Sequence, residues 1–116
     1  MQALAQYQLN IVLSAFVNEC KALFGDKLYD IMLFGSYARG DYDDESDVDI
    51  MIILDMSKEE TNQFLDGICR IASDLSLEHN AHITPVIQSK EKYELHKQTY
   101  GFYRNIEMEG VHKYIG

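Results

Sequence analysis

The 116-residue chain has one proline, two cysteines and 10 lysines and arginines against 19 aspartates and glutamates. Each shortage excludes something. Cys20 and Cys69 fall far apart in expected helices with no Cys-x-x-Cys companion, so neither a disulfide framework nor a zinc site is expected, and both read as buried free thiols. The formal charge of −9 argues against nonspecific binding of nucleic acid or of an anionic membrane, and implies that an anionic nucleotide needs a metal to approach. No stretch reaches the ~20 apolar residues of a membrane span. The start, Met1-Gln2-Ala3-Leu4-Ala5-Gln6, lacks the basic-then-apolar layout of a secretion signal, so a cytoplasmic location is expected. Repeats, low-complexity tracts and linkers are also lacking. Residues 1–116 therefore read as one domain, with 47% hydrophobic residues to bury roughly two-thirds of the unfolded surface.

What is present is an alternation of helical and strand patterns. A first helix is expected from about Ala3 to Phe24, with Leu4, Ile11, Val12, Ala15, Phe16, Leu23 and Phe24 as its apolar stripe. Asp30 to Phe34 reads as a short strand, and the unbroken apolar run Ile50 to Leu54 as a central strand covered on both faces. Ser57-Lys58-Glu59-Glu60 matches a capping box opening a second helix, with Phe64, Ile68, Ile71, Ala72 and Leu75 on its buried face. A strand from about Ala81 to Gln88 contains Pro85, which cannot donate to a ladder and so points to an edge or a bulge. Ser89 to Lys92 begins a short helical or turn segment, Phe102 to Glu109 a last helix stopped by Gly110, and Val111 to Tyr114 a short strand. The sum is an α/β fold with a small mixed sheet of three or four strands backed by helices.

Two consecutive segments carry the chemistry. Gly35-Ser36 follows the first strand, and Asp47-x-Asp49 opens the central one ten residues later. Gly35 has no Cβ to block a phosphate, and the N–H groups after it together with the Ser36 hydroxyl are donors for an anion. Residues two apart in a strand project to the same side, so Asp47 and Asp49 present both carboxylates together. Such a pair is costly to desolvate unless it sits at the strand mouth or holds a hard cation such as Mg²⁺. Arg39 supplies a positive charge either to phosphates or to the neighbouring acids.

Rival readings of these residues fail on spacing. With Asp41 as the first ligand of a calcium loop, Ser46 falls where glycine is needed and Ile52 where glutamate is needed. His79 and His82 straddle a helix end and a strand, which disfavours zinc. No Gly-Lys-Ser/Thr follows the glycines, which excludes a P-loop. The aromatic and basic helix Phe102-Tyr103-Arg104-Asn105-Ile106 reads as a half-buried terminal helix or as a docking surface for another protein, and eight tyrosines suit such an interface.

Strand, Gly35-Ser36, ten residues and Asp47-x-Asp49, with Ala38-Arg39-Gly40 and Ser46 between them, resembles the signature of nucleotidyltransferases related to DNA polymerase β. In its most compact form this is the minimal nucleotidyltransferase domain. The resemblance implies that Asp47 and Asp49 are catalytic and bind one or two Mg²⁺ ions, and that Gly35, Ser36, Arg39 and Ser46 bind the nucleotide. It implies transfer of a nucleoside monophosphate, AMP from ATP, onto a hydroxyl acceptor with pyrophosphate leaving. Minimal members are often paired with a small helical HEPN-domain (higher eukaryotes and prokaryotes nucleotide-binding) toxin, which implies an antitoxin role and a partner tyrosine as acceptor.

One departure stands against full activity. Active members carry a third carboxylate on a later strand, where this chain reads His82-Ile83-Thr84-Pro85-Val86-Ile87, and Thr84 occupies the expected position. A neutral hydroxyl is a poor metal ligand and a poor base. The alternative is therefore a catalytically weakened module of the same fold that neutralises or scaffolds its partner by contact. A transferase acting on a small molecule is disfavoured by the short chain.

Overall fold

A computed structural model describes residues 3–97, 99 and 101–115, with the side chains of Phe102, Glu107, Tyr114 and Ile115 outside that description. Met1 and Gln2, with which the expected leader-free start begins, also lie outside it. The first helix, α1, spans Gln6–Phe24, and the Ala5 N–H donates to Gln8 Oε1 at 2.8 Å across its first turn. A 3-10 turn, Gly25–Lys27, leads into β1, Leu28–Phe34. A four-residue helix, α2, Ser36–Arg39, and an acidic loop connect β1 to β2, Val48–Leu54. Then follow α3, Lys58–Asn62; α4, Leu65–His79; β3, Ile83–Ser89; α5, Lys90–His96; α6, Gly101–Glu109; and β4, Val111–Ile115.

The strands form one mixed sheet in the order β3-β2-β1-β4, parallel between β2 and β3 and antiparallel elsewhere. β3 is an edge strand, as Pro85 requires, since its missing N–H would leave a gap in the middle of a sheet. Strand alternation divides β2 between two layers. Val48, Ile50, Ile52 and Leu54 join Val12, Leu13 and Phe16 of α1 and Ile68, Ala72 and Leu75 of α4 in the larger core. Met51 and Ile53 turn the other way, joining Met32 of β1 with Tyr93, Tyr103 and Ile106 of α5 and α6. The run Ile50 to Leu54 is continuously apolar because both of its faces are covered.

Four expectations need correction. In α1, Ile11 and Leu23 are exposed, and Leu9, Leu13 and Cys20 take their places in the core. The helix after Ser57 is two helices, broken at Gln63-Phe64, although the capping box itself is present: Ser57 Oγ accepts from the Glu60 N–H and Glu60 Oε1 from the Ser57 N–H, each at 3.1 Å. Cys20 is buried, and burial followed by the Glu19 charge pushes its thiol up to about 12, but Cys69 of α4 is exposed. β1 begins at Leu28, not Asp30, because a bulge between Leu28 and Asp30 lets the strand start early. The terminal helix does turn Tyr103 and Ile106 inward, while Phe102 falls outside the described side chains. No helix among the described residues is long and apolar enough to cross a membrane.

Candidate active site

The site lies at the end of the sheet where β1 finishes and β2 begins. Phe34 and Asp49 are cross-strand partners, so the turn after Phe34 is carried directly over Asp49. Gly35 has φ +76° and ψ −157°, a backbone region open essentially to glycine alone. A methyl group placed on it would overlap Asp49 Oδ2 and sit 3.2 Å from Asp49 Cγ. The Gly-Ser turn and the second carboxylate therefore touch. The Gly35 carbonyl accepts from the Ala38 and Arg39 N–H groups, both at 3.1 Å, and this bends the chain straight into α2.

By alternation Asp49 faces the α5/α6 layer with Met51 and Ile53, while Asp47 lies just ahead of the strand and meets His82. Burial, and then the negative charge of Asp47, hold the Asp49 carboxyl above its ordinary value, while Arg39 and His82 pull it back. The two acids thus act on each other electrostatically. Across the parallel pairing Asp49 is in register with Thr84, so a neutral residue stands beside the half-buried carboxylate on the neighbouring strand. Among the described residues no set of three or more His, Cys, Asp or Glu side chains is arranged to hold a metal.

Arg39 and Ser46 already have partners. The Arg39 guanidinium pairs with Asp41 at 3.2 Å and with Glu109 of α6 at 3.5 Å, with its side chain 43% exposed. It still lies close enough to Asp49 to favour that carboxylate's charge. The Ser46 hydroxyl is taken up inside the acidic loop, accepting from the Asp43 N–H at 3.0 Å and reaching Asp43 Oδ1 at 3.2 Å. Ser46 nevertheless borders Asp47, lining a cavity of about 240 Å³ with Asp44, Glu45, Asp47 and His82.

His82, which the spacing arguments weighed only as a zinc ligand, meets Asp47 in the structure. Its Nδ1 lies 2.5 Å from Asp47 Oδ1. The signal was present in the two apolar onsets Val48 and Ile83: once these strands pair in parallel with that register, the residues just before them, Asp47 and His82, become neighbours. His82 also borders a larger groove of about 490 Å³ that runs between α4 and β3 past Ser76, Ala81 and Pro85.

The model of the nucleotidyltransferase domain family matches residues 13–111, which takes in both strands of the site, α4, α5 and α6, and α1 from Leu13 onward. A Methanocaldococcus jannaschii protein, MJ0604, which carries the provisional name protein adenylyltransferase, is 36% identical over 95 residues, covering 82% of this chain and 87% of that protein. A crystal structure of a mutant toxin–antitoxin complex, MntA-HpeT, superposes with a TM-score of 0.58 at 16% identity, over 90% of this chain and 73% of that one. A second toxin–antitoxin crystal structure, with AMP-PNP, gives 0.52 at 19% identity over 85% and 73%. At those identities the likeness to the solved structures is one of fold. Sequence match and shared fold agree, and the chain belongs to the nucleotidyltransferase domain family.

Proposed function

We propose that this chain transfers AMP from ATP to a hydroxyl group of a partner protein, with Mg²⁺ held by Asp47 and Asp49. The observation that carries the reading is the contact between the Asp49 carboxylate and Gly35, which supports a shared role for the Gly-Ser turn, as a polyphosphate cradle, and the second of the two acids. The donor set fits Mg²⁺: two hard carboxylate oxygens leave room for phosphate oxygens and water, which that ion retains. It also fits electrostatically, because a positive charge relieves the cost that burial and Asp47 impose on ionised Asp49. When bound, Mg²⁺ neutralises the triphosphate and favours departure of pyrophosphate.

The remaining work falls to the chain. Gly35 admits the β and γ phosphates to the backbone, and the N–H groups that follow it, with the Ser36 hydroxyl, donate to their oxygens. Arg39 sets a guanidinium beside them, exchanging Asp41 and Glu109 for phosphate. The acceptor oxygen attacks the α-phosphorus, the bond to the β-phosphate oxygen breaks, pyrophosphate leaves and the hydroxyl proton passes to solvent. Such an in-line transfer depends on positioning and electrostatics more than on many protein groups. The adenylyltransferase name of a relative supports AMP as the group moved, and the toxin–antitoxin neighbours support a protein acceptor. We assign that acceptor to a tyrosine of a small helical HEPN-domain toxin, with this chain as its antitoxin, in the cytoplasm.

Thr84 favours a second reading. Its register with Asp49 sets a hydroxyl where the resemblance calls for a carboxylate, and a chain so altered can neutralise its partner by contact alone. Two measurements decide. ATP with Mg²⁺ at 100 times its Kd is expected to stabilise the protein by about 2.7 kcal/mol, raising Tm, and the double variant Asp47→Asn/Asp49→Asn to abolish the rise. Label from α-labelled ATP is expected on the co-purified partner. No thermal response in the wild type overturns the nucleotide site, and a responsive protein with an unlabelled partner establishes the contact-only reading.

A further inference from the structure

The two acids are held by different means. Asp49 lies inside β2, paired in register with Phe34 on one side and Thr84 on the other, and its carboxylate rests against Gly35. Asp47 precedes the strand, its side chain is 42% exposed, and the side chain that meets it is His82, with Nδ1 2.5 Å from Oδ1. The His82 backbone is itself anchored. Its carbonyl accepts from the Val48 N–H at 2.8 Å, and the next N–H, that of Ile83, donates to Ser76 Oγ of α4 at 3.1 Å. The His82 backbone is thus fixed beside the start of β2, and its imidazole, 63% exposed, reaches across to Asp47.

We propose that His82 is a positioning residue for the acid pair: its Nδ1–H holds Asp47 by Oδ1 and leaves Oδ2 as the oxygen that ligates the cation. The inference rests on the reading of Asp47 and Asp49 as cation ligands. A carboxylate ahead of a strand otherwise spreads over several rotamers, and ordering it on binding costs free energy. Hydrogen-bond partners of ligating groups are typically worth 10- to 100-fold in metal affinity. Thr84 beside Asp49 adds no third acid to share the ion, so the ligation falls to Asp47 and Asp49.

The test is Mn²⁺ binding by electron paramagnetic resonance in the presence of AMP-PNP, so that no turnover is read. His82→Ala is expected to weaken Mn²⁺ about tenfold. His82→Asn, whose amide keeps an N–H donor, is expected to recover most of that loss. His82→Phe, which fills the place of the ring without a donor, is expected to match His82→Ala and so separates hydrogen bonding from packing. In an Asp47→Asn background, His82→Ala is expected to change nothing further, since its effect runs through Asp47. Wild-type affinity in both His82→Ala and His82→Phe, or a full tenfold loss persisting without Asp47, overturns the assignment. A wild type that takes up no Mn²⁺ overturns instead the reading of the acid pair itself, a separate outcome.

Discussion

The two faces of the sheet are built to different specifications. On the α1/α4 side, Val48, Ile50, Ile52 and Leu54 are at most 1% exposed along the whole of β2, and they meet Val12 and Phe16, which are fully buried. On the α5/α6 side the apolar layer is smaller, with Met32, Met51, Ile53, Tyr93, Tyr103 and Ile106. It gives way at one end to Asp49 with Thr84 beside it, and elsewhere to polar contacts: His112 pairs with buried Asp30 at 2.8 Å, and Gln88 hydrogen-bonds Tyr103. One face removes apolar surface from water, the dominant favourable contribution to folding. The other leaves a charged end uncovered, which costs stability and provides chemistry. The same strand serves both, because alternate residues point opposite ways.

The largest effect is expected on the apolar face. Phe16→Ala removes a fully buried ring from the α1 side and is expected to cost about 3–5 kcal/mol, read as a lower urea midpoint. A loss below 1 kcal/mol would mean that this face does not carry the fold. The substitutions Asp47→Asn and Asp49→Asn, at the other face, are expected to show no comparable loss when metal is absent.

Gly35→Ala is next in size and joins the two properties at one position. Its backbone conformation costs a non-glycine residue about 1–3 kcal/mol. The added methyl must also push Asp49 Oδ2 aside. The expected result is a moderate fall in the unfolding midpoint together with complete loss of the ATP and Mg²⁺ response. Retention of that response would show that the turn and the carboxylate do not share a ligand.

The contrast between the faces also explains what could be seen in the sequence. Ile50 to Leu54 identified itself because an unbroken apolar run has one economical explanation, a strand covered twice, and the acid pair followed from its i, i+2 spacing at the start of that strand. Helix α1 was harder. Leu9, Ile11, Val12, Leu13, Ala15, Phe16 and Val17 are apolar on more than one side, so a period of 3.6 residues fits more than one stripe, and only packing against α4 and β2 selects Leu9 and Leu13 over Ile11. The break at Gln63-Phe64 has neither glycine nor proline to mark it. In the candidate site, local spacing singles out Gly35, Ser36, Asp47 and Asp49, whereas the partners Glu109 of Arg39 and His82 of Asp47 arrive from distant segments brought close by the fold. Sequence periodicity carries no information about such pairs until the register of β2 and β3 is known.

The smallest expected effect has the opposite sign from the first. Burial and Asp47 raise the Asp49 carboxyl above its ordinary value, so between the unfolded and folded values the native state binds more protons than the unfolded chain. Stability from this group is therefore present at low pH and is lost as pH rises through that window, leaving the full penalty at neutral pH. Asp49→Asn carries no such charge. In metal-free buffer at neutral pH it is expected to unfold at a slightly higher urea concentration than the wild type, and the gain is expected to shrink as pH falls through the carboxylate range. Adding ATP and Mg²⁺ is expected to reverse the order, because only the wild type gains binding energy. A variant less stable than wild type in metal-free buffer would mean that Arg39 and His82 outweigh burial at Asp49, and that the polar end of the sheet stabilises the fold after all.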